Sequence, residues 1–439
     1  MSMRWDQLLS SARFGSTSGH EPARSAFHKD YDRIIFSQRF RQLNRKTQVH
    51  PLTNHEGIHT RLTHSLEVSC VGRSLGMLVA EQISDQLPKG ITPADLGVIV
   101  QAACLAHDIG NPPFGHAGEY AIRDWFENPK HARFLSSLTR EQQFDLLLYE
   151  GNAHGFRLLT KVENHPGAGG MRLTAATLGA FLKYPWSVEA TRRWGDGAGA
   201  VKFGCNSSER SELNALSQEL GLLKTPAGFA RHPLNFLLEA ADDICYALID
   251  LEDGIALGML DYRDVEPIFR QIIGADLPDE LGGDATRAIK LAALRGRAMN
   301  QLVQEVSEVF VAKQDQILRG ELSSNLLGFC SAPTAQAIKQ AKSLAKEQIF
   351  NHPQKARLEL IAAKCLHVLL DAFIPLALTE QTSGFGRERL SVLLSGKGIK
   401  LSGDTYTNIM LVLDMITEMT DHQAYQLAQE LQGIYSGMV

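Results

Sequence analysis

The sequence predicts an all-α protein with at most a small β-hairpin, and three observations carry that expectation. Apolar residues recur near a 3.6-residue period in several long stretches, most clearly at Leu62, Leu66, Val68, Val71, Leu75 and Leu78. Alternating β-branched runs parted by hairpin dipeptides are scarce, and GKGIKLSGD around 395–405 is the one hairpin signal. Apolar residues make up 44% and charged residues 21% of the 439-residue chain, a balance that supports a packed core and argues against disorder.

Taken in order, residues 1–30 are polar and Gly/Ser-bearing and read as an arm, helical only near Trp5–Arg13. Ile34, Ile35, Phe36, Phe40, Leu43 and Val49 then mark a mainly helical segment with arginines on its other faces. His50–His59 reads as a loop, and 60–83 as a strong helix. Thr92-Pro93-Ala94-Asp95 resembles a helix start, with proline at an early helical position, and that helix runs into His107-Asp108. Helical pieces follow at 120–126, 140–151, 153–160 and 172–184. Trp194–Ser208 reads as a surface loop or insertion. His232–Gly258 is long, apolar and periodic; 275–285 is turn-like; helices cover 286–349, 355–378 and 406–434.

Composition narrows the function classes. A formal charge of −5 carries no global basic signature for nucleic acid, although a local basic face stays open. Cys70, Cys104, Cys205, Cys245, Cys330 and Cys365 are scattered without a CxxC, which points to a reduced, cytoplasmic protein with neither zinc ribbon nor disulfide frame. The N-terminus MSMRWDQLLSSARF has no apolar h-region, and no apolar run approaches the ~20 residues of a membrane span, so no membrane partner is expected.

The stretch 101–120, QAACLAHDIGNPPFGHAGEY, holds the densest chemistry. His107-Asp108 ends an apolar helix beside a Gly/Pro loop; one dyad cannot close a metal site, and His64 and Asp242 on neighbouring helices could complete it. Two imidazoles and two carboxylates form a mixed N/O set that suits Mn, Fe, Mg or Zn and leaves positions for water and a phosphate oxygen. Asp242, Tyr246 and Asp250 lie at i, i+4 and i+8, on one helical stripe, where two acids and a phenol are costly to bury unless they bind something. Asp243 competes with Asp242 from about 100° round the helix; the stripe favours Asp242. His116 and Glu119, at i and i+3, have the form of a base and its orienter. Arg61, Arg157, Lys183 and Tyr184 are candidates for phosphate contact, with Arg39, Arg41 and Arg45 as outliers, and neither a P-loop nor a dinucleotide GxGxxG is present. Each residue singly has a plainer reading: a solvated charge, a cap or a core histidine. Their convergence is the signal.

RLTHSLEV, LAHDIGNPPFGHAGE, EGNAHGFR, TLGAFLKYP and RHPLNFLLEAADDICYALIDLEDG, in that order over about 30–260, together with MTDHQAYQL near the C-terminus, resemble the HD-superfamily deoxynucleoside triphosphate triphosphohydrolases, in the bacterial dGTPase branch. The resemblance implies an HD-domain helical core with additional C-terminal helices. It implies metal-dependent hydrolysis of dNTPs, dGTP among them, to deoxynucleoside and inorganic tripolyphosphate, by water attack at the α-phosphorus. In its terms His64, His107, Asp108 and Asp242 hold a divalent metal, Mn²⁺ or Mg²⁺, and His116 with Glu119 is catalytic. Arg61, Lys183 and Tyr184 meet the polyphosphate, Tyr246 packs on the sugar, Asp250 takes the 3′-hydroxyl, and Gln48 and Val49 lie beside sugar and base. A homo-oligomer, a hexamer foremost, and a response to single-stranded DNA or a regulatory dNTP are further implications.

The expected division is an arm over 1–30, a catalytic core over 31–270, and a helical region over 271–439 packed on the core. Two other readings compete: an HD-type nucleotidase or phosphodiesterase/exonuclease on nucleic-acid ends, and a non-catalytic nucleotide- or ssDNA-binding regulator. Tyr246 and Asp250 favour the triphosphohydrolase over the first, and the intact ionisable set argues against the second.

Overall fold

The structure is a computed structural model that describes residues 2–13, 24–49, 52, 58–162, 170–189, 202–274, 286–378, 384–395 and 400–434. The expected loop over 50–59 and the turn over 275–285 lie largely or wholly outside these residues; of the insertion expected over 194–208, 194–201 lie outside them, while Phe203, Cys205 and Asn206 are buried rather than at the surface. The helices that matter below are α1 (Ala26–Phe36), α2 (Arg61–Gln82), α3 (Pro93–Ala106), α4 (His116–Glu127), α5 (Gly151–Arg157), α6 (Ala175–Phe181) and α7 (Pro233–Ala256). They continue as α8 (Tyr262–Ile273), α9 (Arg287–Leu318), α10 (Ala332–Ala345), α11 (Pro353–Leu378), α12 (Thr405–Glu418) and α13 (Asp421–Leu431).

Local chemistry sets the helix starts. Thr60 and Thr63 exchange side-chain and backbone hydrogen bonds at the start of α2, and Thr92 and Asp95 do the same at α3, where Pro93 occupies the first turn. Small residues then let α2 and α3 touch: a Cβ on Gly76 would fall 2.9 Å from Gly97 Cα, and one on Gly72 would fall 2.5 Å from Cys104 Sγ. That contact is closer than any side chain allows, so it locks the second half of α2 against α3.

Two large apolar clusters form around this pair. The first joins α1, α2, α3, α6, α7, α8, α9 and α10. The second joins α4, α11, α12 and α13, with Leu390 and Leu394 from the helix Phe385–Ser395. The segment 107–115 leaves α3 in the first cluster and enters α4 in the second. Residues 2–13, expected as part of an arm, instead bury Met3, Trp5, Leu8 and Leu9 in the first cluster.

Some sequence expectations need correction. The hairpin pairs Lys224–Thr225 (β1) with Gly228–Phe229 (β2), antiparallel. Of the hairpin expected at 395–405, 396–399 lie outside the described residues, and 400–404 form no strand. Strands of two residues leave no alternation for a sequence to display. The expected helix over 140–151 ends at Leu147, and α5 starts afresh at Gly151. The expected helix over 406–434 is broken after Glu418, because Thr420 and Gln423 form a new capping box.

The 26-residue α11, with mean hydropathy 1.8 in its most apolar window, is long and apolar enough to cross a membrane by length and composition. This overturns the expectation that no segment approaches that size: Lys364 and Asp371 interrupt the run without lowering its mean far. In the fold, Leu366, Leu369, Leu370, Phe373 and Ile374 of α11 are buried in the second cluster, and Asp371 accepts the Trp125 indole N–H at 2.7 Å.

Candidate active site

α7 is capped at its start by His232, whose Nδ1 accepts the Leu234 amide while Nε2 bonds Leu8 O at 2.9 Å. From that anchor the helix carries its polar stripe past the ends of α2 and α3. Asp242 Oδ1 lies 3.0 Å from His64 Nε2 and 3.6 Å from His107 Nε2. One donor atom each from His64, His107 and Asp242 fall within 4.8 Å of one another. His107 Nδ1 is 2.6 Å from Cys104 O, a bond that leaves Nε2 turned to the cluster as the lone-pair nitrogen. Asp243, one position on, faces away and pairs with Lys342 at 3.0 Å and Asn325 at 3.2 Å.

Asp108 stands beside this group, with Oδ1 3.7 Å from His107 Nε2. The same oxygen accepts from Arg61 at 2.9 Å and Asn111 at 2.5 Å, while Oδ2 is buried without a hydrogen-bond partner. An orphaned buried carboxylate oxygen next to two imidazoles and a second carboxylate is the surrounding a divalent cation requires, so the residues present fit a metal. Burial alone would raise both acids. For Asp108 the charges of Arg61, His107 and His64 outweigh it and hold the carboxyl below its ordinary value. For Asp242 the His64 hydrogen bond and the His107 charge do the same.

The loop from Asp108 to Gly115 bends hard to reach α4. Phe114 takes φ 68 and Gly115 φ 58, and a Cβ on Gly115 would strike the Arg61 guanidinium. Gly110 is pressed on α5: a Cβ there would lie 2.2 Å from Gly155 N. His116 follows at the head of α4, its Nδ1 2.8 Å from Glu119 Oε2. Glu119, 2% exposed, takes the Gly151 amide on its other oxygen at 2.7 Å. Burial pushes the Glu119 carboxyl up, but its hydrogen bond and charge contact with His116 win and hold it below the usual range.

A cavity of about 280 Å³ unites most of the sequence-predicted set: Gln48, Val49, Arg61, His107, Asp108, His116, Lys183, Tyr184, Asp242 and Tyr246 all line it. His64, Glu119 and Asp250 are buried at 2%, 2% and 3% exposure and are not among its lining residues. Lys183 pairs with Glu239 at 3.1 Å; burial opposes its charge, but Tyr184, Glu239 and Asp242 raise its pKa. Tyr246 meets His64 edge-on at 6.2 Å and Phe350 at 5.9 Å between ring centroids. Asp250 Oδ2 and Gln48 Oε1 are buried without partners. Burial, then the charges of Asp253 and Asp242, push the Asp250 carboxyl well up.

Arg157 is engaged elsewhere, bonding Asp414 at 2.9 and 2.7 Å and Glu209 at 2.9 Å. It does not line the cavity. His154 lies against Asp414 at 3.3 Å, and burial pushes its pKa down to about 3. Sequence reasoning missed Asn111, Asn152, Lys202, Phe350, Lys355 and Glu359, which also line the cavity. Asn111 and Asn152 sit inside motifs already singled out, so adjacency could have flagged them. Lys202, Phe350, Lys355 and Glu359 come from segments with no motif, and only folding brings them in.

The chain matches the HD domain family over residues 61–179. It is similar to a deoxyguanosinetriphosphate triphosphohydrolase-like protein of Pseudomonas aeruginosa, 46% identical over 98% of this chain and 99% of the relative. A protein of the same description from Synechocystis is 40% identical over 98% of this chain and all of the relative (100%). A deoxyguanosinetriphosphate triphosphohydrolase of Salmonella arizonae is 31% identical over 82% of this chain and 79% of the relative.

Proposed function

Because the chain belongs to the HD superfamily, in its bacterial dGTPase branch, and is a hydrolase, we propose that it hydrolyses dNTPs, dGTP among them, to deoxynucleoside and inorganic tripolyphosphate. The observation that carries this reading is one cavity whose wall joins His107, Asp108 and Asp242 of the metal-fit group, the Glu119-oriented His116, Arg61 and Lys183, and Tyr246, which lies four residues before the buried Asp250 on the same helix stripe.

His64, His107, Asp108 and Asp242 would hold a divalent ion, Mn²⁺ or Mg²⁺. Such an ion, when bound, supplies Lewis-acid polarisation of a phosphate oxygen. Arg61 and Lys183 bring fixed positive charge to the polyphosphate, and the Tyr184 hydroxyl adds a donor. Glu119 accepts the His116 Nδ1 proton, so Nε2 is the atom at which His116 moves a proton in the water attack on the α-phosphorus. The bond that breaks is the one from that phosphorus to the 5′-oxygen, which leaves protonated on the nucleoside. Tyr246 closes the space a 2′-hydroxyl would need, and Asp250, its pKa pushed up by burial, meets the 3′-hydroxyl. Gln48 and Val49 flank sugar and base. The same reading carries a cytoplasmic homo-oligomer, hexameric in form, that responds to single-stranded DNA or a regulatory dNTP, and a division into core (31–270) and C-terminal region (271–439), with residues 2–13 packed into the first cluster.

Product analysis with Mn²⁺ or Mg²⁺ and each dNTP in turn tests the reaction. Tripolyphosphate with deoxynucleoside is expected; pyrophosphate with dNMP would overturn it. Matched rNTPs test the sugar argument, and equal turnover of GTP and dGTP would remove Tyr246 from its role.

A further inference from the structure

A carboxylate outside the cavity lining holds two of its walls. Asp421, 2% exposed, opens α13. Its Oδ1 accepts the Phe114 amide at 2.7 Å. Its Oδ2 accepts the Thr47 amide at 3.0 Å and the Thr47 hydroxyl at 2.7 Å. Phe114 is the residue at φ 68, two before His116. A bulky side chain keeps that left-handed conformation only where its surroundings over-determine it. Thr47 immediately precedes Gln48 and Val49, which line the cavity from the opposite strand of chain.

None of these bonds serves α13 itself, because Thr420 already caps that helix by accepting the Gln423 amide. A second tie runs parallel: Lys46 Nζ donates to Asn111 O at 2.8 Å and to Thr417 O at 2.5 Å, so the same loop and the end of α12 are joined through a buried lysine nitrogen. The C-terminal helices therefore hold the 111–115 loop and the 46–49 segment in one register.

We propose that Asp421 is a positioning residue for the hydrolysis: it locks the Phe114 amide and Thr47 so that His116 and Gln48–Val49 face one substrate. The inference rests on the reading of His116 as the proton-moving group. Three donors converge on Asp421, and both of its oxygens are needed to accept them. Asparagine offers one acceptor oxygen and turns an NH₂ toward the remaining donors, so Asp421→Asn releases one wall without changing side-chain size.

The test measures kcat, KM, bound Mn²⁺ and Tm on the full chain. Asp421→Asn is expected to lower kcat by about 100-fold, the scale of a misplaced catalytic group, with Mn²⁺ content kept. Thr47→Val, which removes only the hydroxyl bond, should raise KM more than it lowers kcat. Wild-type kcat and KM in Asp421→Asn, beside an inactive His116→Ala, would overturn the inference alone. So would a loss that merely tracks the unfolded fraction, with Thr47→Val unchanged. Full activity in His116→Ala would instead overturn the reading of His116 first.

Discussion

Asp242 and Asp250 occupy the same stripe of α7, two turns apart, and their surroundings prepare them for opposite tasks. Asp242 lies among His64, His107 and Lys183, and these hold its carboxyl ionised against the cost of burial. Asp250 has burial and the like charges of Asp253 and Asp242 pushing its pKa well up, and its Oδ2 has no partner. A helix fixes spacing and direction, but neighbours decide protonation state. One end of the stripe is built to take a cation, and the other to exchange a hydrogen bond with a neutral hydroxyl.

Substitution at the two ends should separate them. Asp242→Asn is expected to abolish both Mn²⁺ binding and turnover, whereas Asp250→Asn keeps the metal; metal analysis of the purified variants reads this directly. Equal metal loss at both positions would erase the distinction. Next in size is His116→Ala, expected to lower kcat by about 10²–10⁴-fold with metal retained, since it removes proton transfer and no ligand.

Smaller again is the sugar end. Asp250→Ala should lower kcat/KM for dGTP by about 10- to 100-fold, the worth of a hydrogen bond to a polar buried partner. The same substitution should cost little with a 2′,3′-dideoxynucleotide, which lacks the hydroxyl. An equal loss on both substrates would mean that Asp250 does not meet the 3′ position.

The smallest effect is a pair of opposite pH slopes in the metal-free chain. Asp242 has a depressed folded pKa. The unfolded chain binds more protons just below the ordinary value of 3.8, so this stability is present above that value and lost as pH falls through the folded pKa. Asp250 has a raised folded pKa. The folded chain holds a proton that the unfolded chain has released above 3.8, so stability falls as pH rises toward the folded value. Tm against pH for Asp242→Asn and Asp250→Asn should lose these slopes in opposite senses; parallel curves would contradict the contrast.

How much of this was legible depended on distance along the chain. The helices over 61–82, 93–106 and 233–256 follow from period and caps, because both are written within a few residues. The break at Thr420 was equally local, yet it hid inside a continuous apolar period. The two-residue strands of the hairpin were too short to show an alternation, so the sequence pointed to another place for it.

The site divides in the same way. Ligand types, the Asp242–Tyr246–Asp250 stripe and the His116–Glu119 spacing belong to the sequence, since helix geometry converts spacing into a shared face. Only the tertiary structure brings Lys202 and Lys355 to the cavity, spends Arg157 on Asp414 and Glu209, and carries Asp421 to the Phe114 amide. Those contacts join residues far apart in sequence, and no local rule records which partner a buried charge will find. Composition and period determined that this chain makes helices, one of them with an acid–phenol stripe. Packing α3 in one core and α4 in another decided where the loop between them must bend, and so where the chemistry sits.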